Sequence, residues 1–409
     1  MNSLTAKAPL LVVTAVAAVA FGFASERASA AYSAKVSQGV LTITGDSASD
    51  KLALRLKPGV PNILQVDVGA DGSANFSFDR STFDKVIVHA GGGDDIVRIA
   101  EGNGAFTDTE KTTILGDGSA DTLVGGSFAE SLQGGDGADT IDGNPGNDAI
   151  TLGASNDFVV WNPEDGVDAI SAGDGFDRIR VNGSDDSESI EVFNFTNMLR
   201  ISRGTRPGEG GPIFDAKNAE ALELKPLRGN DVVRTGNLAG TGVNDVSVDL
   251  ASGSPSEPRD FDNVVLNGAI GPDNNAQVSA FSGTVKVVGL APTLSISHSD
   301  PGLDLLDVSG FSGNDTLKAS DGIGSVMRLT LHGNDAADSL IGADGAETLD
   351  GGDGGDFLEG NSGNDVLLAG LGKDFLDGGL GIDILDCGLL GSIDTIVPDA
   401  ADTLQSNCF

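Results

Sequence analysis

Large aliphatic side chains recur at a fixed interval in the last quarter of the chain. Between Gly333 and Asp386 an acidic residue returns every nine positions, and a leucine follows two positions after each acid. The six pairs are Asp338 with Leu340, Glu347 with Leu349, Asp356 with Leu358, Asp365 with Leu367, Asp374 with Leu376, and Asp383 with Leu385. This period is too long for a helical heptad and too regular for loops. It predicts a parallel β-solenoid of glycine-rich turns and very short strands.

Two such repeats make one predicted coil, so residues eighteen apart lie one strand spacing apart, about 4.8 Å. The acids then form two ladders, one of Asp338, Asp356 and Asp374 and the other of Glu347, Asp365 and Asp383. At an effective dielectric constant of about 20, two bare carboxylates at that spacing repel by about 3 kcal/mol. A bound cation would reverse the sign of this interaction. The turns offer only carboxylates and peptide carbonyls, which suit calcium best.

These repeats resemble the RTX (repeats-in-toxin, haemolysin-type) calcium-binding nonapeptide, G-G-x-G-x-D-x-U-x, in which U is a large aliphatic residue. Gly351 to Glu359 and Gly378 to Asp386 match the motif at every defined position. The resemblance implies an all-β fold, a right-handed parallel β-solenoid of the β-roll type. In it, motif aspartates and glycine carbonyls of successive coils would hold each calcium ion. The alternative is an array of Asp/Gly turns with solvated carboxylates.

A second block with the same pattern lies between Leu115 and Val181. Its acids are nine residues apart except for an eleven-residue step between Asp157 and Asp168. Within that step, Trp161 to Glu164 is interpreted as a bulged turn, with the tryptophan as a lid over an irregular coil. The two blocks together are expected to bind several calcium ions. The predicted metal-binding residues are Asp121, Asp136, Asp139, Asp148, Asp157, Asp168, Asp177, Asp338, Asp353, Asp356, Asp365, Asp374 and Asp383.

Outside the two blocks the period is irregular, although β-type patterning persists. Isolated echoes of the motif occur at Ala90 to Arg98, Arg228 to Val233 and Gly310 to Leu317. We therefore expect one long solenoid and not several globular domains. The predicted divisions are residues 1–30 as a signal peptide, 31–114 as an irregular N-terminal solenoid, 115–181 as the first repeat block, 182–331 as an irregular middle region, 332–386 as the second repeat block, and 387–409 as a C-terminal cap or tail.

Both ends of the chain carry further predictions. Lys7, the apolar run 10–23 and the small residues 28–30 are typical of a cleaved secretory signal peptide. A membrane anchor is the alternative, but fourteen apolar residues fall short of the roughly 20 needed to span a bilayer. Cys387 and Cys408 are the only cysteines, and in an oxidising compartment a disulfide between them is the simpler interpretation, with two free thiols as the alternative. Closing that loop would contribute on the order of 3 kcal/mol.

Composition limits the partners of the chain. The net charge of −37 and the pI of about 4.1 disfavour nucleic acid, because phosphate would repel such a surface. Basic residues gather between Arg178 and Arg234, where an anionic ligand such as a cell-surface or matrix glycan could dock. The same charges could instead balance nearby acids on a solvated face.

Common catalytic motifs are absent from the sequence, including the zinc-protease helix, the nucleophile elbow and the phosphate loop. The three histidines, His89, His298 and His332, are far apart along the chain. The chain is therefore interpreted as a secreted, non-catalytic calcium-binding solenoid, structural or adhesive at the cell surface or in the matrix, that folds on extracellular calcium. The alternative is a carbohydrate-active enzyme similar to the polysaccharide lyases and epimerases that are built on parallel β-helices.

Overall fold

The computed structural model describes residues 32–251, 260–270, 274–388, 394–405 and 408. The predicted signal peptide, residues 1–30, lies outside the described residues. In the part that the structure describes, helical structure is confined to two short 3-10 turns, Arg80–Thr82 and Ile323–Ser325. No helix there has the length and apolar character needed to cross a membrane.

Short β-strands make up the rest of the regular structure. The strands of the N-terminal half are β1 Ser33–Ser37, β2 Val40–Thr44, β3 Lys51–Lys57, β4 Val60–Val68, β5 Phe76–Asp79, β6 Lys85–Gly92, β7 Ile96–Ile99, β8 Lys111–Gly118, β9 Thr122–Val124, β10 Ser131–Asp136, β11 Thr140–Asp142, β12 Ala149–Ala154, β13 Phe158–Trp161, β14 Asp168–Asp174, β15 Arg178–Asn182, β16 Ser189–Phe195, β17 Met198–Gly204 and β18 Gly211–Lys217. The strands of the C-terminal half are β19 Ala221–Lys225, β20 Val232–Thr235, β21 Asp245–Asp249, β22 Asn263–Asn267, β23 Asn275–Phe281, β24 Thr284–Val288, β25 Thr293–Ser297, β26 Leu305–Ser312, β27 Thr316–Ala319, β28 Arg328–Asp335, β29 Ser339–Ile341, β30 Thr348–Gly354, β31 Phe357–Glu359, β32 Ser362–Gly363, β33 Val366–Gly372, β34 Phe375–Asp377, β35 Leu380–Gly381, β36 Ile384–Asp386, β37 Thr395–Val397 and β38 Thr403–Leu404.

All strands except β32 and β35, which pair with each other in a separate two-stranded sheet, stack into two long sheets. In the repeat blocks the chain alternates between these two sheets. Neighbouring strands in these blocks are parallel, and Leu349 pairs with Leu367 in the first sheet as Leu358 pairs with Leu376 in the second. Each coil therefore contains two nonapeptides. The predicted all-β parallel solenoid is confirmed. The pairing order in the first sheet is β1-β2-β6-β8-β10-β12-β14-β18-β17-β16-β20-β22-β26-β28-β30-β33-β36-β38.

The core lies between the two sheets and consists of stacked aliphatic side chains. The six leucines of the second block, from Leu340 to Leu385, are all 0% exposed. Residues alternate in and out along each strand, so one aliphatic side chain per short strand suffices to fill the thin core. Trp161 is also buried in this core, at 2% exposure, and it pairs with Val181 on the adjacent strand. The interpretation of Trp161 as a lid was wrong, because alternation along β13 turns its ring to the same side as Val159.

Two antiparallel meanders interrupt the parallel stack in the middle region. Strands β16 to β18 form one meander in the first sheet, and β23 to β25 form the other in the second sheet. Between β14 and β26 the first sheet holds five strands, and between β15 and β27 the second sheet also holds five. Because the two sheets gain the same number of strands over this region, they stay level with each other, and regular coils resume at β26 and β27.

The last described residues extend both sheets. Strand β37 pairs with β34 and strand β38 pairs with β36. A disulfide joins Cys387 to Cys408, whose Cα atoms are 5.1 Å apart. The C-terminal tail, expected as a cap, is thus fastened to the final coil by backbone pairing and by one covalent bond.

Candidate metal-binding ladders

The acidic residue of each repeat lies at a turn, at or just before the start of a strand, with its side chain buried. In the second block, Asp356 Oδ1 accepts the backbone N–H of Asp338 at 2.8 Å, and Asp374 Oδ1 accepts that of Asp356 at 2.9 Å. On the opposite edge, Asp365 Oδ1 accepts from Glu347 N at 2.9 Å. Each bond spans 18 residues along the chain, which is one coil. The two predicted ladders are confirmed as structural features.

The first block contains the same ladders. Asp139 Oδ1 accepts from Asp121 N, and Asp157 Oδ1 accepts from Asp139 N, both at 2.8 Å. Beyond Asp148 the spacing grows to 20 residues, yet Asp168 Oδ1 still accepts from Asp148 N at 2.8 Å. The two additional residues therefore lengthen the turn and leave the ladder intact.

The second oxygen of most ladder carboxylates is buried without a hydrogen-bond partner in the described part of the chain. The ladder residues are between 0% and 5% exposed, so bulk water does not replace the missing donor. Buried acceptors left in this state are costly. The oxygens concerned are Oδ2 of Asp95, Asp121, Asp139, Asp148, Asp157, Asp177, Asp231, Asp356, Asp365, Asp374 and Asp383, and Oε1 of Glu130.

At several rungs a carboxylate oxygen and a peptide oxygen of the next coil border the same glycine. A Cβ placed on Gly360 would be 2.5 Å from Asp365 Oδ2 and 2.5 Å from the carbonyl oxygen of Gly378. On Gly116 it would be 2.4 Å from Asp121 Oδ2 and 2.5 Å from the Gly134 carbonyl oxygen. Only glycine fits at such positions. Each of these glycines therefore has two acceptor oxygens beside it, which are candidate ligands for one shared cation.

Burial raises the pKa of the ladder carboxylates. The pKa of Asp148 rises to about 8, that of Asp365 to about 7 and that of Asp356 to about 6, in each case mainly because burial disfavours the charged form. The backbone N–H bond to each carboxylate opposes this rise, and neighbouring acids on the ladder add to it. The carboxylates are therefore held in an environment that favours a bound positive charge.

The predicted metal-binding residues fall into two groups. All of them belong to the ladders except Asp136 and Asp353, which are exposed and lie at the ends of β10 and β30. Their role as metal ligands stays a prediction.

Several ladder residues were missed by the sequence prediction. Glu188, Asp231, Asp262 and Asp304 form a ladder in the middle region, where the intervals are 43, 31 and 42 residues. Because the meanders insert whole strands between the rungs, no nine-residue period reveals them. The local signal that remains is an acid immediately before a β-type run, as in Asp231-Val232-Val233.

The ladders suit a hard cation. Among the described residues, no three His, Cys, Asp or Glu side chains converge as a metal-binding group. An ion between two coils would therefore take its carboxylates from two adjacent rungs and its other ligands from peptide carbonyls. Such an all-oxygen set of flexible geometry fits calcium, which accepts 6–8 oxygen ligands.

Comparison with known families identifies the repeats. Residues 124–159, 330–358 and 350–385 match the family described as "RTX calcium-binding nonapeptide repeat (4 copies)". The chain carries RTX calcium-binding nonapeptide repeats. The RTX matches fall in the two repeat blocks, the second match beginning two residues before residue 332, and include ladder residues from Glu130 to Asp157 and from Asp338 to Asp383. In these segments the β-solenoid is therefore built of repeats of a calcium-binding type. No curated protein matches the chain.

Proposed function

We propose that this protein is a secreted, non-catalytic calcium-binding β-roll with a structural or adhesive role at the cell surface or in the extracellular matrix. In this proposal the chain folds on calcium after export. The observation that carries it is the row of buried carboxylates in the RTX repeats, most of which have an oxygen without a hydrogen-bond donor in the described part of the chain.

Calcium binding and folding are coupled in this proposal. Without the ion, each coil adds a buried negative charge to a ladder of like charges. With the ion, the carboxylates of adjacent rungs and nearby peptide oxygens bind one positive centre, so the binding free energy stabilises the stacked coils. Calcium is scarce in the cytosol and abundant outside the cell, so the ladders would order after export.

Two features support a location outside the cell. The disulfide between Cys387 and Cys408 suits an oxidising compartment. The sequence of residues 1–30 has the pattern of a cleaved signal peptide.

The basic residues of the middle region favour charge balance over a glycan site. Arg200 pairs with Asp215, Arg180 pairs with Glu223, and Arg203 contacts Glu188. Because these cations already have acidic partners, the adhesive role is not assigned to this cluster.

Circular dichroism of the full chain in calcium and in a chelator tests the proposal. We expect greater β content and a higher melting temperature in calcium, with magnesium at equal concentration giving a much smaller effect. Identical spectra and melting temperatures in calcium and chelator would overturn calcium-coupled folding. Turnover of uronic-acid polysaccharides by the purified protein would overturn the non-catalytic part.

A further inference from the structure

The middle ladder, defined as Glu188, Asp231, Asp262 and Asp304, lies outside the segments that match RTX repeats. These acids immediately precede β16, β20, β22 and β26, which all belong to the first sheet. The backbone N–H of each acid donates to the carboxylate of the next, at 2.8, 2.9 and 3.0 Å. The geometry thus continues that of the RTX ladders without the RTX sequence period.

Asp231 has the same unsatisfied oxygen as the RTX aspartates. Its side chain is 1% exposed, and no donor in the described part of the chain bonds to its Oδ2. Asp262, the next rung, is 4% exposed. The carboxylate of Asp260 lies beside them, because it accepts the backbone N–H of Gly229 at 3.0 Å. Negative charge is therefore concentrated at this pair of rungs.

Glu188, one rung before Asp231, has a different environment. Its Oε2 accepts from Arg203 Nε, and its Oε1 accepts the backbone N–H of Ser184 at 2.9 Å. Arg203 also donates to Ser184 Oγ at 2.8 Å, which fixes the guanidinium in place. Arg203 lies on β17 opposite Ile190 of β16, so the first meander delivers this cation to the ladder.

In the N-terminal region an acid at a strand start is also paired with an arginine, although its backbone N–H donates to the carbonyl oxygen of Phe106 and not to another acid. Glu110 precedes β8 in the first sheet, and Arg80 donates to both of its carboxylate oxygens, at 2.9 and 2.6 Å. Buried acids at strand starts are therefore of two kinds. Glu188 and Glu110 are each paired with an arginine of the chain, whereas Asp231 keeps a buried oxygen without a donor in the described part of the chain.

We propose that Asp231 and Asp262 hold a further calcium ion in the middle of the solenoid, and that Glu188 holds none because Arg203 occupies the position of the cation. The inference rests on the proposed calcium-binding function and extends it to a site that the RTX period does not mark. The ligands would be the two carboxylates and peptide carbonyls, an oxygen set that suits calcium. The middle region then contains both a calcium-dependent and a calcium-independent rung.

Calcium stoichiometry of the full chain tests the proposal, with Asp231→Asn and Glu188→Gln as a matched pair. Both variants replace a ladder carboxylate by an amide of the same shape. By calorimetry and by equilibrium dialysis against radioactive calcium, Asp231→Asn should bind one ion fewer than the wild type, whereas Glu188→Gln should bind the same number. An unchanged count for Asp231→Asn would overturn the site. A lost ion in Glu188→Gln would overturn the role of Arg203.

Hydrogen exchange of the unmodified protein supplies a second readout that does not depend on a variant folding. Calcium should slow amide exchange in β20 and β22 as well as in the RTX blocks. Protection confined to the RTX blocks would overturn the Asp231 site and leave the proposed function standing. A wild-type chain that binds no calcium would instead overturn the proposed function itself.

Discussion

Asn274 donates its side-chain N–H to the carbonyl oxygen of Gly310 at 2.9 Å. Its backbone N–H also donates to Asp315 Oδ1, at 2.6 Å, so Asn274 occupies a ladder position that elsewhere holds an aspartate. In the RTX coils the corresponding carboxylate oxygen, such as Asp365 Oδ2, has no hydrogen-bond donor in the described part of the chain. The asparagine amide instead donates a hydrogen bond to a peptide oxygen. One rung of the ladder is thus satisfied by the chain itself, without a cation.

Replacing Asp365 by asparagine should have opposite effects in calcium and in chelator. In calcium the variant loses a charged ligand, and we expect the free energy of unfolding to fall by about 1–3 kcal/mol. In chelator the new amide can donate to the carbonyl oxygen of Gly378, as Asn274 does to Gly310, so stability should rise. Thermal and urea unfolding in both conditions measure the two effects.

Asp353→Asn is the matched control, because Asp353 lies in the same block and is exposed outside the ladder. If only buried ladder acids hold calcium, this variant should leave both unfolding curves within about 0.5 kcal/mol of the wild type. A large calcium-specific loss for Asp353→Asn would instead place that exposed carboxylate among the ligands. Equal losses for Asp365→Asn in calcium and chelator would contradict a cation at its rung.

The stability of the calcium-free protein should decrease as the pH rises from about 4 to 8. The pKa of Asp148 is raised to about 8 and that of Asp365 to about 7 in the folded protein, mainly by burial. An unfolded aspartate has a pKa of about 3.9, so between these values the folded state binds more protons than the unfolded state. The stability is therefore greatest below the unfolded pKa, where these groups are protonated in both states, and is lost as the pH rises through their folded pKa.

Melting temperatures in chelator across this pH range measure the decrease, and a parallel series in calcium is the control. Calcium competes with protons for the same oxygens, so its stabilising effect should grow as the pH rises. A calcium effect of constant size between pH 5 and pH 8 would argue against binding at the ladders.

Gly360→Ala should destabilise the second block by about 1–3 kcal/mol, as overpacking of a tight site does. The added Cβ would lie 2.5 Å from both Asp365 Oδ2 and the Gly378 carbonyl oxygen, too close for either atom to remain in place. Gly355→Ala is the control in the same block, since its Cβ would meet only the Lys373 carbonyl oxygen, at 3.4 Å. Chelator and calcium melts of both variants distinguish loss of the metal site from a general loss of stability.

The regular blocks could be predicted from the sequence because each nonapeptide makes one turn and one short strand. The acid and the leucine of a repeat are two residues apart, so the same motif fixes a ladder position and a core position. Leu358 and Asp356 illustrate this, since both are buried, at 0% and 2% exposure. Local spacing is sufficient wherever every coil has the same length.

The middle region could not be predicted in this way, because its register depends on strand pairing across long intervals. The neighbours Asp231 and Asp262 are 31 residues apart, and Glu188 and Asp231 are 43 apart. Arg203 reaches Glu188 only because β17 runs antiparallel to β16, which charge spacing along the chain does not indicate. The basic residues of this region were noted in the sequence, but their acidic partners become apparent only in three dimensions.

Reducing the disulfide should destabilise the last coil more than the rest of the solenoid. The bond joins Cys387 to Cys408 across 21 residues, and its loss should lower the free energy of unfolding by about 2–4 kcal/mol. Strands β37 and β38 lie between the two cysteines and pair with β34 and β36. When β37 and β38 fray, the Asp374 and Asp383 rungs become exposed, and calcium affinity should fall. Calcium titrations and thermal unfolding with and without dithiothreitol measure both changes.

The Cys387→Ser, Cys408→Ser double variant is the control, because it should resemble the reduced protein and be insensitive to dithiothreitol. A reduced protein with unaltered calcium binding would show that the terminal rungs order without the covalent bond.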